Sequence, residues 1–132
     1  MEKPHKKLDV WNLSMNLAVD IYKTSEVFPR EERYSLTDQV RRSATSIPSN
    51  IAEGAARQTT KEFIQFLHVA QGSLSELDTM LELSRRLEFL TTAAWKSLDE
   101  NMERIDKMLS GLIRHQKSLP RGSSRRRRSP HA

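Results

Sequence analysis

The sequence predicts an all-α protein, an antiparallel up-down bundle of four helices. Three observations point there. Four segments repeat apolar residues at three- and four-residue spacing, the period of a helix with a buried side. Glycine occurs four times and proline five times in 132 residues, which is sparse punctuation for a many-turned β fold. The links between the segments are short, which places consecutive helices side by side and antiparallel. One hydrophobic core is expected, because a chain of this size buries roughly two thirds of its unfolded surface. The boundaries read as a basic N-terminal extension over 1–7, the bundle over 8–118 and an Arg-rich tail over 119–132.

The first helix is predicted from about Leu8 to Thr24. Leu8, Trp11, Met15, Ala18 and Tyr22 follow a heptad seam and are assigned to the bundle core. Val10, Leu13, Leu17 and Ile21 form a second stripe, offset round the helix, which needs a second bundle neighbour or another subunit; contact with another subunit is the expectation. Phe28 and Pro29 end the pattern, and Pro29-Arg30-Glu31-Glu32 reads as a short turn with proline and acids where a helix start favours them.

The second helix is predicted over about Ser35–Arg57. Its core face is Leu36, Val40, Ala44, Ile47, Ile51 and Ala55. Ser43, Thr45, Ser46, Ser49, Ala52, Gly54 and Ala56 are small enough to let a neighbouring helix come close. Pro48 removes a backbone donor and crowds the Ala44 carbonyl, so a kink is expected at 47–50, with two shorter helices as the alternative.

The third helix opens on Thr59-Thr60-Lys61-Glu62, a capping box. Phe63, Leu67, Ala70, Leu74, Leu77 and Leu81 form its seam, widened by Phe66, Val69, Met80, Leu83 and Leu87. After a break at Glu88–Thr91, the fourth helix carries Trp95, Leu98, Met102, Ile105, Leu109 and Leu112 in strict heptad register, with charged residues on its outer side. It should end before Ser118-Leu119-Pro120.

The formal charge of +5 belongs to the tail. Arg121 and Arg125, Arg126, Arg127 and Arg128 account for all of it, and removing those five from the 22 basic residues leaves 17 against 17 acids. An arginine run among Gly, Ser and Pro reads as a solvated arm able to bind polyanions by counterion release, or as a solubility tail.

Several function classes are excluded or unsupported. There is no cysteine, hence no disulfide, zinc–thiolate site or thiol nucleophile, which suits a reducing cytoplasm. No apolar run reaches the length of a membrane span, and the basic residues 1–7 precede no signal-peptide core, so a cytoplasmic location is expected. Metal chemistry in a bundle needs inward Glu-x-x-His pairs; Glu2-x-x-His5 is single. No glycine loop cradles phosphate, so no cofactor and no enzymatic activity are expected. His68, followed by Gln71-Gly72, looks somewhat like the phosphorylated helix of histidine phosphotransfer domains, but a lysine would be wanted at position 71.

Arg42, Ser46, Ser49, Glu53 and Arg57 share one face of the second helix, with Asn50 at its edge. The face is either solvated or a polar contact to a subunit or ligand. In full, the segment reads Arg41-Arg42-Ser43-Ala44-Thr45-Ser46-Ile47-Pro48-Ser49-Asn50-Ile51-Ala52-Glu53-Gly54, then Arg57. It resembles the signature of a family of small bacterial four-helix-bundle proteins, whose founding members are encoded in intervening sequences of 23S ribosomal RNA genes. Ala70-Gln71-Gly72-Ser73-Leu74-Ser75-Glu76-Leu77 resembles the family's second motif, and Val10-Trp11, Phe28-Pro29 and Leu109-Ser110-Gly111-Leu112-Ile113 also fit. The resemblance implies a homopentameric barrel. It also implies similarity to the accessory variability determinants of diversity-generating retroelements, which associate with nucleic acid and a reverse transcriptase.

On this reading the protein is a non-enzymatic homo-oligomer that binds RNA or DNA, with a protein scaffold as the alternative. The candidate nucleic-acid contacts are Arg41, Arg42, Asn50, Arg57 and Arg125–Arg128. Pro48, Glu53 and Gly54, with Val10, Leu13, Leu17 and Ile21, are candidates for structure or assembly.

Overall fold

The structure is a computed structural model and describes residues 1–120. The tail arginines Arg121 and Arg125–Arg128 lie outside the described residues. Four helices account for most of the rest: α1 (Asp9–Ser25), α2 (Leu36–Ala55), α3 (Thr60–Arg86) and α4 (Thr92–Ser118). Each packs on its two neighbours in a closed square, with α2 against α3 the most extensive contact. Cross-helix bonds fix the antiparallel register. Arg41 meets Tyr22 and Ser25, Ser43 meets Glu76, Ser46 meets Ser73, and Gln71 meets Ser110.

The core seams of α2, α3 and α4 run as their periodicity predicts. Val40, Ala44, Ile47 and Ile51 on α2, Leu67, Ala70 and Leu77 on α3, and Leu109 on α4 are fully enclosed. The widening of the α3 seam is only partial, because Val69, Leu83 and Leu87 lie about half exposed. α2 passes through Pro48 as one helix, with the proline buried.

In α1 the second stripe, and not the first, is the main core seam. Val10, Leu17 and Ile21, assigned above to assembly, are at most 4% exposed and belong to the subunit's own core, with Leu13 packed against it. Of the first stripe, Ala18 is buried and Leu8 and Trp11 pack against the core, but Met15 and Tyr22 are 40% and 44% exposed. The physical reason lies in two serines. The inward seam runs Val10, Ser14, Leu17, Ile21, Ser25, and Ser14 and Ser25 are buried. Their hydroxyls donate to the Val10 and Tyr22 carbonyls, so the core tolerates them while the apolar repeat is disguised.

The N-terminal segment is also more structured than an extension. Pro4–Lys7 form a 3₁₀ turn that packs against α1 and α2. The Asn12 amide donates to the Lys6 and Leu8 carbonyls, and His5 sits edge-on to Trp11 with ring centroids 4.9 Å apart.

The helix ends follow capping chemistry. Thr59 accepts from the Glu62 amide at 3.2 Å, while its hydroxyl bonds the Glu62 carboxylate at 2.8 Å. Thr91 caps α4 by accepting from the Ala94 amide. α3 ends in a Schellman turn: Phe89 N–H donates to the Ser84 carbonyl and Glu88 N–H to that of Arg85. Glu88 there adopts φ 62°, a left-handed conformation that disfavours a side chain. Glu88→Gly should therefore stabilise the protein by about 0.5–1 kcal/mol. Chemical denaturation checks this, and a lower midpoint would mean the Glu88 side chain contributes a contact that outweighs the strain.

Candidate interaction surfaces

The motif residues of α2 are mostly tied to neighbouring helices. Arg41 Nε donates to Ser25 Oγ at 2.8 Å and its Nη2 to the Tyr22 carbonyl at 3.3 Å. Its guanidinium lies 4.8 Å from the centre of the Tyr22 ring. It therefore straps α2 to the C-terminal turn of α1, where a cation also suits the helix dipole. Ser43 donates to Glu76 at 2.9 Å, and the Ser46 and Ser73 hydroxyls are 2.8 Å apart. Asn50 donates to the Ser46 carbonyl and hydroxyl at 2.8 and 3.0 Å. The Asn50 amide thus bonds Ser46 and not the Ala44 carbonyl, the one that Pro48 leaves without its helical donor.

Arg57 pairs with Glu53 at 3.0 Å and covers Phe66 at 4.8 Å. Of the motif arginines, Arg42 is the most open: it is 75% exposed and paired with Asp38 at 3.3 Å. Gly54 explains the close approach of α2 to α3. A Cβ there would lie 2.7 Å from Phe66 Cβ and 2.9 Å from Phe63 Cδ1. Thus much of the motif serves helix packing, which spacing along α2 alone could not show because the partners lie on α1 and α3.

The outward α1 face leaves a surface that sequence reasoning missed. Met15, Val19 and Tyr22 are 40%, 49% and 44% exposed and, with Trp11, form one wall of a groove of about 610 Å³. Pro48, Ser49 and Ala52 of α2 contribute the low opposite wall. The groove is open and mostly apolar. The signal was present in the two stripes of α1, with the second stripe, and not the first, as the main inward seam.

A polar groove of about 400 Å³ between α3 and α4 is lined by Asp78, Asp99, Glu103 and Asp106. Burial first, then the charges of Asp99 and Glu82, raises the Asp78 carboxyl above its ordinary pKa. Nearby, hydrogen bonds from Arg85 and then Arg86 hold Glu82 below the usual carboxylate range. Burial, and then the charges of Lys6 and Lys3, lower the His5 imidazole below its ordinary pKa. His68 is exposed on α3, and Gln71 is engaged by Ser110 at 3.0 Å. Among the described residues no group of three or more potential metal ligands gathers, and no helix is long and apolar enough to cross a membrane.

The profile of the 23S rRNA-intervening sequence protein family matches residues 6–111. The chain belongs to this family. A crystal structure similar to this 23S rRNA-intervening sequence protein is that of a protein of unknown function from the S23 ribosomal protein family of Bacteroides thetaiotaomicron. It is 30% identical, with a TM-score of 0.74, over 79% of this chain and 97% of the other. No curated protein matches. The family match takes in the α2 motif and the α1–α2 groove, and it stops before Arg114, Lys117 and the tail.

Proposed function

We propose that the protein is a non-enzymatic, self-assembling bundle, a pentamer as the family resemblance implies, that gathers basic segments from several copies onto RNA or DNA. The observation that carries the assembly is the open apolar face of α1 at Met15, Val19 and Tyr22. A contiguous exposed apolar groove on a helical bundle is a contact surface in the making. Leu83 and Leu87, four residues apart at the end of α3, supply a second, separate apolar patch. Two different faces on one subunit suit a head-to-tail contact, the kind that closes into a ring.

The nucleic-acid part is supported by the five tail arginines, which an oligomer multiplies. Arg41, Arg42, Asn50 and Arg57 all have partners within the chain, so the tail carries more of this role than the motif, within which Arg42 is the most exposed. Association with a reverse transcriptase or another nucleic-acid enzyme would follow from a shared ligand.

A salt titration of binding to a mixed-sequence RNA tests the reading. Deleting residues 121–132 should weaken binding and flatten the log–log salt dependence, by about 0.7 for each phosphate of a single strand that the tail neutralises. Absence of binding by the full chain at low salt would leave the protein-scaffold alternative. The α1 face would then serve assembly alone.

A further inference from the structure

The folded domain is neutral in sum but not in distribution. The antiparallel register places residues 1–13, 53–66 and 112–120 at one end of the bundle: α2 ends there beside the start of α3, α4 finishes there, and Pro4–Lys7 pack there. That end holds seven basic residues, Lys3, Lys6, Lys7, Arg57, Lys61, Arg114 and Lys117, against four acids, Glu2, Asp9, Glu53 and Glu62. The difference is +3, and the rest of residues 1–120 therefore carries −3, since those residues balance at 17 and 17.

Arg57 is matched by Glu53, but the six other cations are exposed and form no ion pair with a described residue. Away from this end, Arg42, Arg85, Arg86 and Lys107 are paired with acids, and Arg41 is bound to Ser25 and Tyr22; Lys23, Arg30, Arg33, Lys96 and Arg104 form no ion pair with a described residue there either, but they are spread among the 13 other acids of residues 1–120. The acids lining the α3–α4 groove add a surface that repels phosphate. The Asn12 side chain and the His5–Trp11 contact hold the backbone that carries Lys6 and Lys7 on the bundle.

We infer that this end of the bundle, through Lys3, Lys6, Lys7, Lys61, Arg114 and Lys117, is a sequence-independent docking surface for the phosphate backbone of a nucleic acid. The inference rests on the nucleic-acid reading above and locates it on the folded domain. Unpaired cations on a neutral domain act where they cluster, because each phosphate they meet releases condensed counterions. α4 delivers the chain to residue 119 at this same end, so the arginines of residues 121–128 follow in sequence from the end that carries the lysines. An anionic membrane is the less suitable polyanion. Peripheral lipid binding combines basic charge with inserted apolar side chains. Met1 is the large exposed apolar residue at this end, whereas the exposed α1 residues lie further along the bundle.

The experiment compares two full-length variants of equal charge change. Lys6→Gln, Lys7→Gln, Lys61→Gln and Lys117→Gln alter the proposed surface; Arg30→Gln, Arg33→Gln, Lys96→Gln and Arg104→Gln alter exposed cations elsewhere. Circular dichroism confirms folding, and fluorescence anisotropy with a 30-nucleotide mixed-sequence RNA is read across a salt series. The first variant should lose roughly two or more in log–log salt slope, at about 0.7 per phosphate, while the second stays near the parent. Equal losses in both variants would overturn the location, leaving a diffuse charge effect. No loss in either would overturn it in favour of the tail alone. No binding by the unaltered chain would instead sink the nucleic-acid reading itself. Binding to phosphatidylserine vesicles that the first variant abolishes, with RNA binding intact, would reassign the surface to lipid.

Discussion

Truncating Phe63 to alanine should destabilise the bundle by about 3–5 kcal/mol. The ring is 1% exposed and sits on α3 facing α2, in the most extensive helix contact of the fold. Removing it takes away the buried apolar area and leaves a void that the neighbouring Gly54 is too small to fill. A domain of this size has about 5–15 kcal/mol of total stability. Phe63→Ala should therefore shift the urea midpoint strongly or abolish folding. A loss below about 1 kcal/mol would mean that α2 and α3 can collapse onto each other, against the tight packing described.

The second large effect has an informative sign. Gly54→Ala in an ordinary helix interior would add about 1 kcal/mol of stability through propensity. Here it should cost about 1–3 kcal/mol, because the new methyl would lie 2.7 Å from Phe66 Cβ, which cannot swing aside as a side-chain tip can. The Phe63 ring atom at 2.9 Å is a second obstruction. Introducing Gly54→Ala into the Phe63→Ala protein should consequently cost less than in the parent, a non-additivity expected of touching residues. Urea denaturation of the four proteins gives the comparison; a stabilising Gly54→Ala would show that the helices lie further apart.

Why the sequence revealed three seams and misread the fourth follows from these contacts. α2, α3 and α4 each carry one dominant apolar stripe, so period and burial coincide, as at Ile47, Leu67 and Leu109. α1 carries two stripes, and the inward one is interrupted by Ser14 and Ser25, whose hydroxyls are satisfied within their own helix. Counting apolar residues therefore favoured the wrong side. The Thr59 cap was readable because its partner Glu62 is local, whereas the Arg41 strap to Ser25 crosses between helices. The same holds for Ser46 with Ser73. A motif that looks like a polar ligand face on one helix becomes packing hardware once its neighbours are in place. The basic end was hidden for a related reason: its cations come from three separate stretches of sequence that only the antiparallel register unites.

Assembly is the claim on which the functional account turns, and the mass of the full chain in solution tests it most directly. Light scattering at micromolar concentration should give a particle near five chains. Val19→Glu, which places a charge in the α1–α2 groove at a half-exposed position, should reduce it to a smaller species without loss of helix content. A parent protein that remains a monomer, or a Val19→Glu protein of unchanged mass, would contradict assembly through this face.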